Sequence, residues 1–216
     1  MISSGICGSQ LLNIESKDSQ LPQLLGHEGR GIAIKVGSGV KNIKEGDHVL
    51  ISPLPYTRNK KNNYAQLTET NWRNKTIKAV FYTWATSTII HKQFVYKVDK
   101  KLEKYKTSII GCACVSGYGA AMNCVKIKKN SSVVVFGTGG VGIYALNAAS
   151  VLGAYPIIAI DLSHDKLKFA KKFGATHIIN SNDKNLIKKI YTYTGGRGAD
   201  FVFDMVGTPL TQKISI

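Results

Sequence analysis

The sequence has few arginines and few acidic residues for a chain that is strongly basic. Its 216 residues include 29 Lys and Arg against 13 Asp and Glu, which gives a formal net charge of +16. An excess of this size raises the question of a nucleic-acid or anionic-membrane partner. However, only four of the basic residues are arginines, which make bidentate contacts to phosphates and guanines, and the lysines are scattered. We therefore expect no nucleic-acid partner and only a modest attraction for small anions.

Long apolar runs and a secretion signal are also missing. No apolar run reaches the roughly 18 residues that a transmembrane helix needs. The N-terminal MISSGICG lacks the charged and apolar regions of a signal peptide. We expect a cytoplasmic protein with no membrane partner.

Cysteine is scarce as well. The four cysteines are too few and too unevenly spread for a disulfide framework. Metal ligation or plain burial is the expected role of Cys7, Cys112, Cys114 and Cys124.

The pattern of elements changes near the middle of the chain. The first half has short alternating runs that are typical of antiparallel β structure, and the second half alternates strands with helices. We place the boundary near residue 110, with domains at 1–110 and 111–216. In the first domain we predict strands at 32–36, 40–43, 47–51 and 94–98, regular structure at 86–90, and a polar surface loop at 56–78.

Residues 132–161 have the pattern of one nearly complete β-α-β unit. The β-branched run at 133–136 predicts a parallel strand that is covered by helices on both faces. A helix at 141–152 and an apolar strand at 156–160 follow. The fold class is therefore α/β, with a Rossmann-type doubly wound parallel sheet. Its remaining predicted elements are helices at 166–173 and 185–193 and strands at 177–179 and 201–206.

Three glycines connect the first strand of this unit to its helix. Gly137, Gly139 and Gly142 have the spacing G-x-G-x-x-G. The first allows a tight turn, the second lets backbone approach a pyrophosphate, and the third lets the helix pack close to the strand. We expect a dinucleotide whose phosphates lie at the helix N-terminus. A turn that merely lets the helix pack is the simpler interpretation, but it leaves the next acidic residue unexplained.

That acidic residue ends the second strand of the unit. Asp161 lies nineteen residues after Gly142. A carboxylate there accepts hydrogen bonds from a ribose diol and repels a 2′-phosphate, so NAD is favoured over NADP.

Four motifs, in order along the chain, match those of a known family. They are GICGS at 5–9, GHE at 26–28, GC and SGYG within 111–119, and the glycine turn at 137–142 with Asp161. With these motifs the chain resembles the zinc-containing alcohol dehydrogenases of the medium-chain dehydrogenase/reductase superfamily. The resemblance covers essentially the whole chain. It implies a mostly β, GroES-like catalytic domain followed by an NAD-binding Rossmann domain.

The resemblance also implies a catalytic metal site. Cys7, His27 and Cys112 would be the ligands, and two thiolates and an imidazole make an open zinc site of the Cys₂His type. Ser9 is placed like the hydroxyl that relays the proton of the alcohol, and Glu28 like the carboxylate behind the metal. Each residue alone has a simpler interpretation: a small buried thiol, a hydrogen-bonded turn histidine, or an ion-pair carboxylate.

The cofactor-binding residues follow from the same resemblance. They are Ser116, Gly137, Thr138, Gly139, Gly140, Val141, Gly142, Asp161, Lys166 and Val206. The other cysteines and histidines fit no ligand spacing, so we expect packing or exposure for Cys114, Cys124, His48, His91, His164 and His177.

The chain also departs from the family. Gln10 and Leu12 stand where relatives carry an acid and a relay histidine, so the proton of Ser9 would pass directly to solvent or to the ribose. No cysteine lies between Leu54 and Ile90. We therefore expect one catalytic zinc and no structural zinc.

Compared with the family, the chain lacks the first strands of the catalytic domain and the last strands of the nucleotide sheet. We expect it to be marginally stable and weakly active by itself. Full-length relatives are expected to be homo-oligomers.

The expected function is NAD-dependent, zinc-dependent hydride transfer between an alcohol and its aldehyde or ketone. The substrate would be a small alcohol, a polyol or a sugar-derived alcohol. Two alternatives stay open: a zinc-free quinone or enoyl reductase, and a nucleotide-binding fragment without catalysis.

Overall fold

The chain divides into two compact units, Met1–Cys112 and Ala113–Ile216. The computed structural model describes residues 1–16, 23–55 and 67–214, apart from the side chain of Trp72. The division falls two residues beyond the boundary that the sequence predicts, because Gly111 packs tightly in the first unit. A Cβ atom at Gly111 would lie 2.4 Å from the carbonyl oxygen of Ile51.

Short antiparallel strands build the first unit. A four-stranded sheet has the order β1-β2-β3-β6, and β4 and β5 form a separate hairpin. The helix α1 spans Gly8–Glu15, and 3₁₀ turns span Lys92–Phe94 and Lys106–Gly111. The strands are β1 (Ser3–Ser4), β2 (Gly29–Ile32), β3 (His48–Ile51), β4 (Thr68–Trp72), β5 (Lys75–Ala79) and β6 (Val95–Lys97).

Apolar side chains of β3 and β6 supply the core of this unit. Ile51 packs with Phe81 and Phe94, whose ring centroids are 5.1 Å apart. Val49 and Val95 pack in a second cluster. Each cluster is small, so the unit relies on close backbone contacts as well as on burial.

Several predictions for the first unit are wrong. The strand predicted at 32–36 lies earlier in the chain, at Gly29–Ile32. It ends at Ile32 because that residue lies opposite His48, the first residue of β3. Residues 40–43 and 86–90 form no strand or helix. Strands at 47–51 and 94–98 are confirmed, each with slightly shorter bounds.

The loop predicted at 56–78 is also wrong in part, because its last third is the β4–β5 hairpin. Arg73 and Asn74 connect the strands with positive φ angles of 46° and 61°, as a two-residue type I′ turn requires. Lys78 and Glu69 form an ion pair at 2.9 Å across the strands. Because most residues of this hairpin are polar, its sequence does not show the alternation of apolar and polar residues that predicts a strand. Residues 56–66 lie outside the described residues.

Parallel strands and helices alternate in the second unit. The sheet has the order β10-β7-β8-β9, and every neighbouring pair is parallel. A π-helical turn spans Ala120–Cys124. The strands are β7 (Val133–Phe136), β8 (Ile157–Asp161), β9 (His177–Asn180) and β10 (Phe201–Asp204), and the helices are α2 (Ala113–Gly119), α3 (Gly140–Val151), α4 (His164–Ala170), α5 (Leu186–Tyr193) and α6 (Pro209–Ile214).

Helices cover both faces of this sheet. Val133 and Val135 pack with Leu146 of α3 on one face, while Val134 and Phe136 pack with residues of α5 on the other. The predicted Rossmann-type sheet is therefore confirmed. Its strand order reverses between β7 and β10, and in such sheets ligands bind at the carboxyl ends of the strands beside this reversal. In the described part of the chain, no helix has the length and apolar character needed to cross a bilayer.

Replacing Gly142 with alanine should destabilise the second unit, because the new Cβ would lie 1.8 Å from the carbonyl oxygen of Gly137. Overpacking of this kind costs about 1–3 kcal/mol of unfolding free energy. Gly139→Ala is the matched control, since its Cβ would meet nothing within 4 Å and its φ is −71°. Urea unfolding followed by circular dichroism measures both variants. Equal midpoints for the two would contradict this prediction.

Candidate functional site

Four side chains with metal-donor atoms converge in the first unit. One ligand atom from each of Cys7, His27, Glu28 and Cys112 lies within 4.8 Å of the other three. Cys7 is the N-cap residue of α1, and His27 and Glu28 directly precede β2. Cys112 follows the 3₁₀ turn Lys106–Gly111. The three residues predicted as metal ligands are thus brought together, with Glu28 beside them.

Glycines let these segments approach one another. A Cβ at Gly5 would lie 1.9 Å from Oε2 of Glu28, so a side chain at this position would displace that carboxylate. Gly26, next to His27, has a φ of +96°, which glycine adopts without strain. The Ser52 hydroxyl donates to the Gly111 carbonyl, which fixes the backbone just before Cys112.

Burial sets the protonation of the cluster. It lowers the pKa of His27, which favours the neutral imidazole that binds metals. Burial, together with Cys7 and Glu28, raises the pKa of the Cys112 thiol to about 12. Without a cation, the buried thiol therefore resists ionisation.

The donor set fits a metal ion. Nε2 of His27 is buried and has no hydrogen-bond partner among the described residues. Buried polar nitrogens are normally paired, so an orphan beside two thiols and a carboxylate points to a cation. Cysteine and histidine together are typical ligands of zinc.

Ser9 and Gln10 differ in their environment beside Cys7. The exposed Ser9 hydroxyl donates to Sγ of Cys7 at 3.3 Å. Gln10 is buried, and its Oε1 accepts a hydrogen bond from the backbone N–H of Gly26. Gln10 therefore ties α1 to the segment that carries His27. The exposed Leu12 offers no proton-relay group.

A cavity of about 830 Å³ in the first unit is separate from this cluster. Residues such as Ile34, Ile89 and Lys92 line it, and none of the four donor residues does. The candidate metal centre is therefore not part of this cavity.

The glycine turn of the second unit follows β7. Gly137 has a φ of +84°, and a Cβ there would lie 2.6 Å from Cγ2 of Val206. Gly142 is packed against the Gly137 carbonyl. Gly139, in contrast, is exposed and has open space where its Cβ would be. Because α3 begins at Gly140, its first backbone N–H groups lie next to this open space.

Asp161 ends β8 beside this turn. Its Oδ2 accepts from the Thr138 backbone N–H at 2.8 Å and from the Thr138 hydroxyl at 3.0 Å. Its Oδ1 accepts from the Ser163 N–H at 2.9 Å. Burial by itself would raise the pKa of Asp161, but these hydrogen bonds, with the charge of Lys166, hold that pKa below its usual value. The carboxylate is therefore ionised and fixed.

The other residues predicted to bind the cofactor also lie in the second unit. Ser116 is exposed on α2, which packs closely on α3, since a Cβ at Gly117 would lie 2.3 Å from the Val141 carbonyl oxygen. Lys166 is exposed on α4. Val206 follows β10 and contacts the glycine turn. Their binding roles stay predictions.

The remaining cysteines and histidines lie outside the donor cluster. Cys114 is half-buried on α2, and Cys124 is exposed. Each of the other four histidines has a hydrogen-bond partner: His48 with Arg30, His91 with Gln93, His164 with Asn180, and His177 with Thr176.

Known proteins match the chain over both units. The family model described as "Alcohol dehydrogenase GroES-like domain" matches residues 1–100, and the one described as "Zinc-binding dehydrogenase" matches residues 140–216. Alcohol dehydrogenase 6 of Peromyscus maniculatus is 34% identical over 240 aligned residues, which cover 100% of this chain and 64% of that protein. The chain belongs to the zinc-type alcohol dehydrogenases of the medium-chain superfamily.

Two further relatives of this alcohol dehydrogenase-type chain agree with that assignment. Alcohol dehydrogenase-like 6 of Arabidopsis thaliana is 34% identical, with 96% of this chain and 60% of that protein aligned. The crystal structure of benzyl alcohol dehydrogenase from Acinetobacter calcoaceticus matches with a TM-score of 0.83 and 29% identity, covering 99% of this chain and 64% of the other. The chain thus spans less than two thirds of the length of these relatives.

Sequence reasoning missed several residues that hold the candidate centre of this alcohol dehydrogenase-type chain. Thr83 is almost completely buried, and its hydroxyl lies 3.4 Å from the Glu28 carbonyl oxygen. Trp84 donates from its indole to the Gly5 carbonyl. No local pattern marks either residue, because each acts on segments more than fifty positions away. The nearest signal in the sequence is the FYTW run of large side chains at 81–84.

Asp161→Asn should flatten the pH dependence of stability. A carboxyl group whose pKa is lower in the folded state stabilises the fold above its unfolded pKa, and this stabilisation is lost as pH falls through the folded pKa. The difference in unfolding free energy between wild type and variant should therefore be largest near neutral pH and shrink below about pH 4.

Thermal melts between neutral and acidic pH measure this difference. Asp165→Asn, at an exposed position in the first turn of α4, is the control for the loss of one carboxylate. A difference for Asp161→Asn that stays constant down to about pH 3 would contradict the prediction.

Proposed function

We propose that the protein containing this chain is a zinc-dependent, NAD-linked oxidoreductase that interconverts alcohols with aldehydes or ketones. The observation that carries the proposal is the donor cluster of Cys7, His27, Glu28 and Cys112, in which the buried Nε2 of His27 has no partner within the part of the chain that the structure describes. Membership of the zinc-type alcohol dehydrogenases supports it.

In this proposal Cys7, His27 and Cys112 hold the zinc ion. Zinc would supply a Lewis acid for the oxygen of the substrate. His27 is suited to ligation because burial favours its neutral form. Both thiols must lose their protons on binding, so metal uptake releases protons. Glu28, only 2% exposed, would balance the charge of the centre from within the protein.

Ser9 is the proposed proton carrier. Its hydroxyl is exposed and already lies 3.3 Å from Sγ of Cys7. A hydroxyl donates and accepts hydrogen bonds with the same oxygen, so Ser9 Oγ can accept a proton from an alcohol and release another to solvent. Leu12 cannot extend this route, because its side chain has no titratable group.

The glycine turn and Asp161 are the proposed NAD site. NAD would accept or donate the hydride. The open space at Gly139 and the N-terminus of α3 suit a pyrophosphate, since backbone N–H groups and the helix dipole favour an anion there. The fixed, ionised carboxylate of Asp161 suits the ribose hydroxyls and disfavours a 2′-phosphate.

The proposed substrates are small alcohols and their carbonyl products. The benzyl alcohol dehydrogenase of Acinetobacter calcoaceticus and the alcohol dehydrogenase 6 of Peromyscus maniculatus are named for such compounds. A polyol or a sugar-derived alcohol belongs to the same chemical class.

The purified chain should bind about one zinc ion when it is prepared under reducing, chelator-free conditions. Cys112→Ser should lose most of this zinc, because a hydroxyl is a far weaker ligand than a thiolate. Cys124→Ser is the matched control, since Cys124 is exposed and lies outside the cluster. Elemental analysis of the three proteins measures the metal content. Wild-type protein that holds NAD but no zinc would favour the zinc-free reductase interpretation instead.

NAD should bind more tightly than NADP, and Asp161→Ser should narrow or reverse this preference. The variant loses the acceptor for the ribose hydroxyls and also the charge that repels a 2′-phosphate. Fluorescence titration with both cofactors gives the ratio of their dissociation constants. Asp165→Ser, with the same change of charge on α4, should leave that ratio unchanged. Equal affinity of the wild type for NAD and NADP would refute the role of Asp161.

A further inference from the structure

Thr83 and Trp84 contact the segment that leads to His27. The backbone N–H of Trp84 donates to the Leu25 carbonyl at 3.1 Å. The N–H of Thr83 is shared between the carbonyls of Leu25 and Gly26, at 3.2 and 3.1 Å. These bonds attach residues 83–84 to the backbone directly before a candidate ligand.

The indole of Trp84 also reaches the segment that leads to Cys7. Its Nε1–H donates to the Gly5 carbonyl at 3.0 Å, across a separation of 79 residues. The same ring covers Gly26, where a Cβ would lie 2.6 Å from Cδ1 of Trp84. Trp84 therefore bonds to one ligand segment and packs on the other. The residue is 37% exposed, so part of the ring also faces solvent.

The backbone of Glu28 is held by the same group of residues. The Glu28 carbonyl accepts hydrogen bonds from the Gly5 N–H and from the Ser4 hydroxyl, both at 2.9 Å. The Ser4 and Thr83 hydroxyls are 2.7 Å apart. Among these contacts, the indole bond is a side-chain bond that a phenylalanine removes while it keeps an aromatic ring at the position.

We propose that Trp84 is a positioning residue of the metal centre. Its indole N–H fixes the Gly5 carbonyl, and through it Cys7, relative to the segment Gly26–Glu28. The Cys112 thiol forms hydrogen bonds with Glu28 and Cys7, and contacts outside the ligand set hold the backbone segments that carry these donors in place. Residues that orient ligands in this way typically change metal affinity by about 10- to 100-fold when they are replaced. The inference rests on the proposed metal site.

Trp84→Phe tests the inference, because it keeps an aromatic ring and removes the N–H that donates to Gly5. The full chain is stripped of metal under reducing conditions and titrated with Co²⁺, whose absorption bands report ligand geometry. We expect about 10-fold weaker Co²⁺ binding and shifted bands. Trp72→Phe, in the β4–β5 hairpin, is the matched control and should leave both unchanged. Unchanged affinity and bands in Trp84→Phe would overturn the inference.

A second measurement decides the matter if Trp84→Phe does not fold. The chain has two tryptophans, so Trp72→Phe leaves Trp84 as the only one. Bound Co²⁺ should then quench the Trp84 emission strongly, and Zn²⁺ should not, because only cobalt absorbs the emitted energy. Equal emission with the two metals would overturn the inference. A wild-type chain that binds no Co²⁺ would overturn the proposed metal site as well, which separates the two failures.

Discussion

The first unit depends on the convergence of four metal-donor groups within 4.8 Å. Burial raises the pKa of Cys112, and Nε2 of His27 has no hydrogen-bond partner among the described residues. Backbone contacts hold the segments that carry these residues together. Gly5, Gly26 and Gly111 all make approaches that any side chain would block. A bound cation would neutralise the donors, and its binding free energy would add to the stability of the unit.

The second unit depends on close packing of a different kind. Gly142 lets α3 contact the end of β7, and the β-branched strands of the sheet are covered on both faces. This packing leaves open space where a Cβ of Gly139 would be, so the same turn that joins strand to helix also keeps backbone accessible to a ligand. Asp161 stabilises the turn through Thr138, which links this carboxylate to the fold itself.

The parallel sheet was predictable, and the first unit was only partly so. In the second unit, apolar runs at 133–136 and 156–160 are buried on both faces, and such runs differ clearly from helices and loops. In the first unit the strands are short and half-exposed, and their ends depend on where a partner strand stops. Ile34 continues the alternating pattern beyond β2, but none of the described strands lies opposite it. The polar β4–β5 hairpin has almost no apolar pattern.

The sequence by itself determined the glycine turn, the acid at the end of β8 and the types of the candidate metal ligands. The turn is a local feature, because the steric needs of G-x-G-x-x-G act between residues that are close along the chain. Only the tertiary structure decided how the metal-donor residues meet and what holds them. Cys7, His27 and Cys112 converge through Gly111 against Ile51 and through Trp84 against Gly5. Those contacts join residues far apart in sequence, so their hydrogen bonds and packing exist only once the chain has folded.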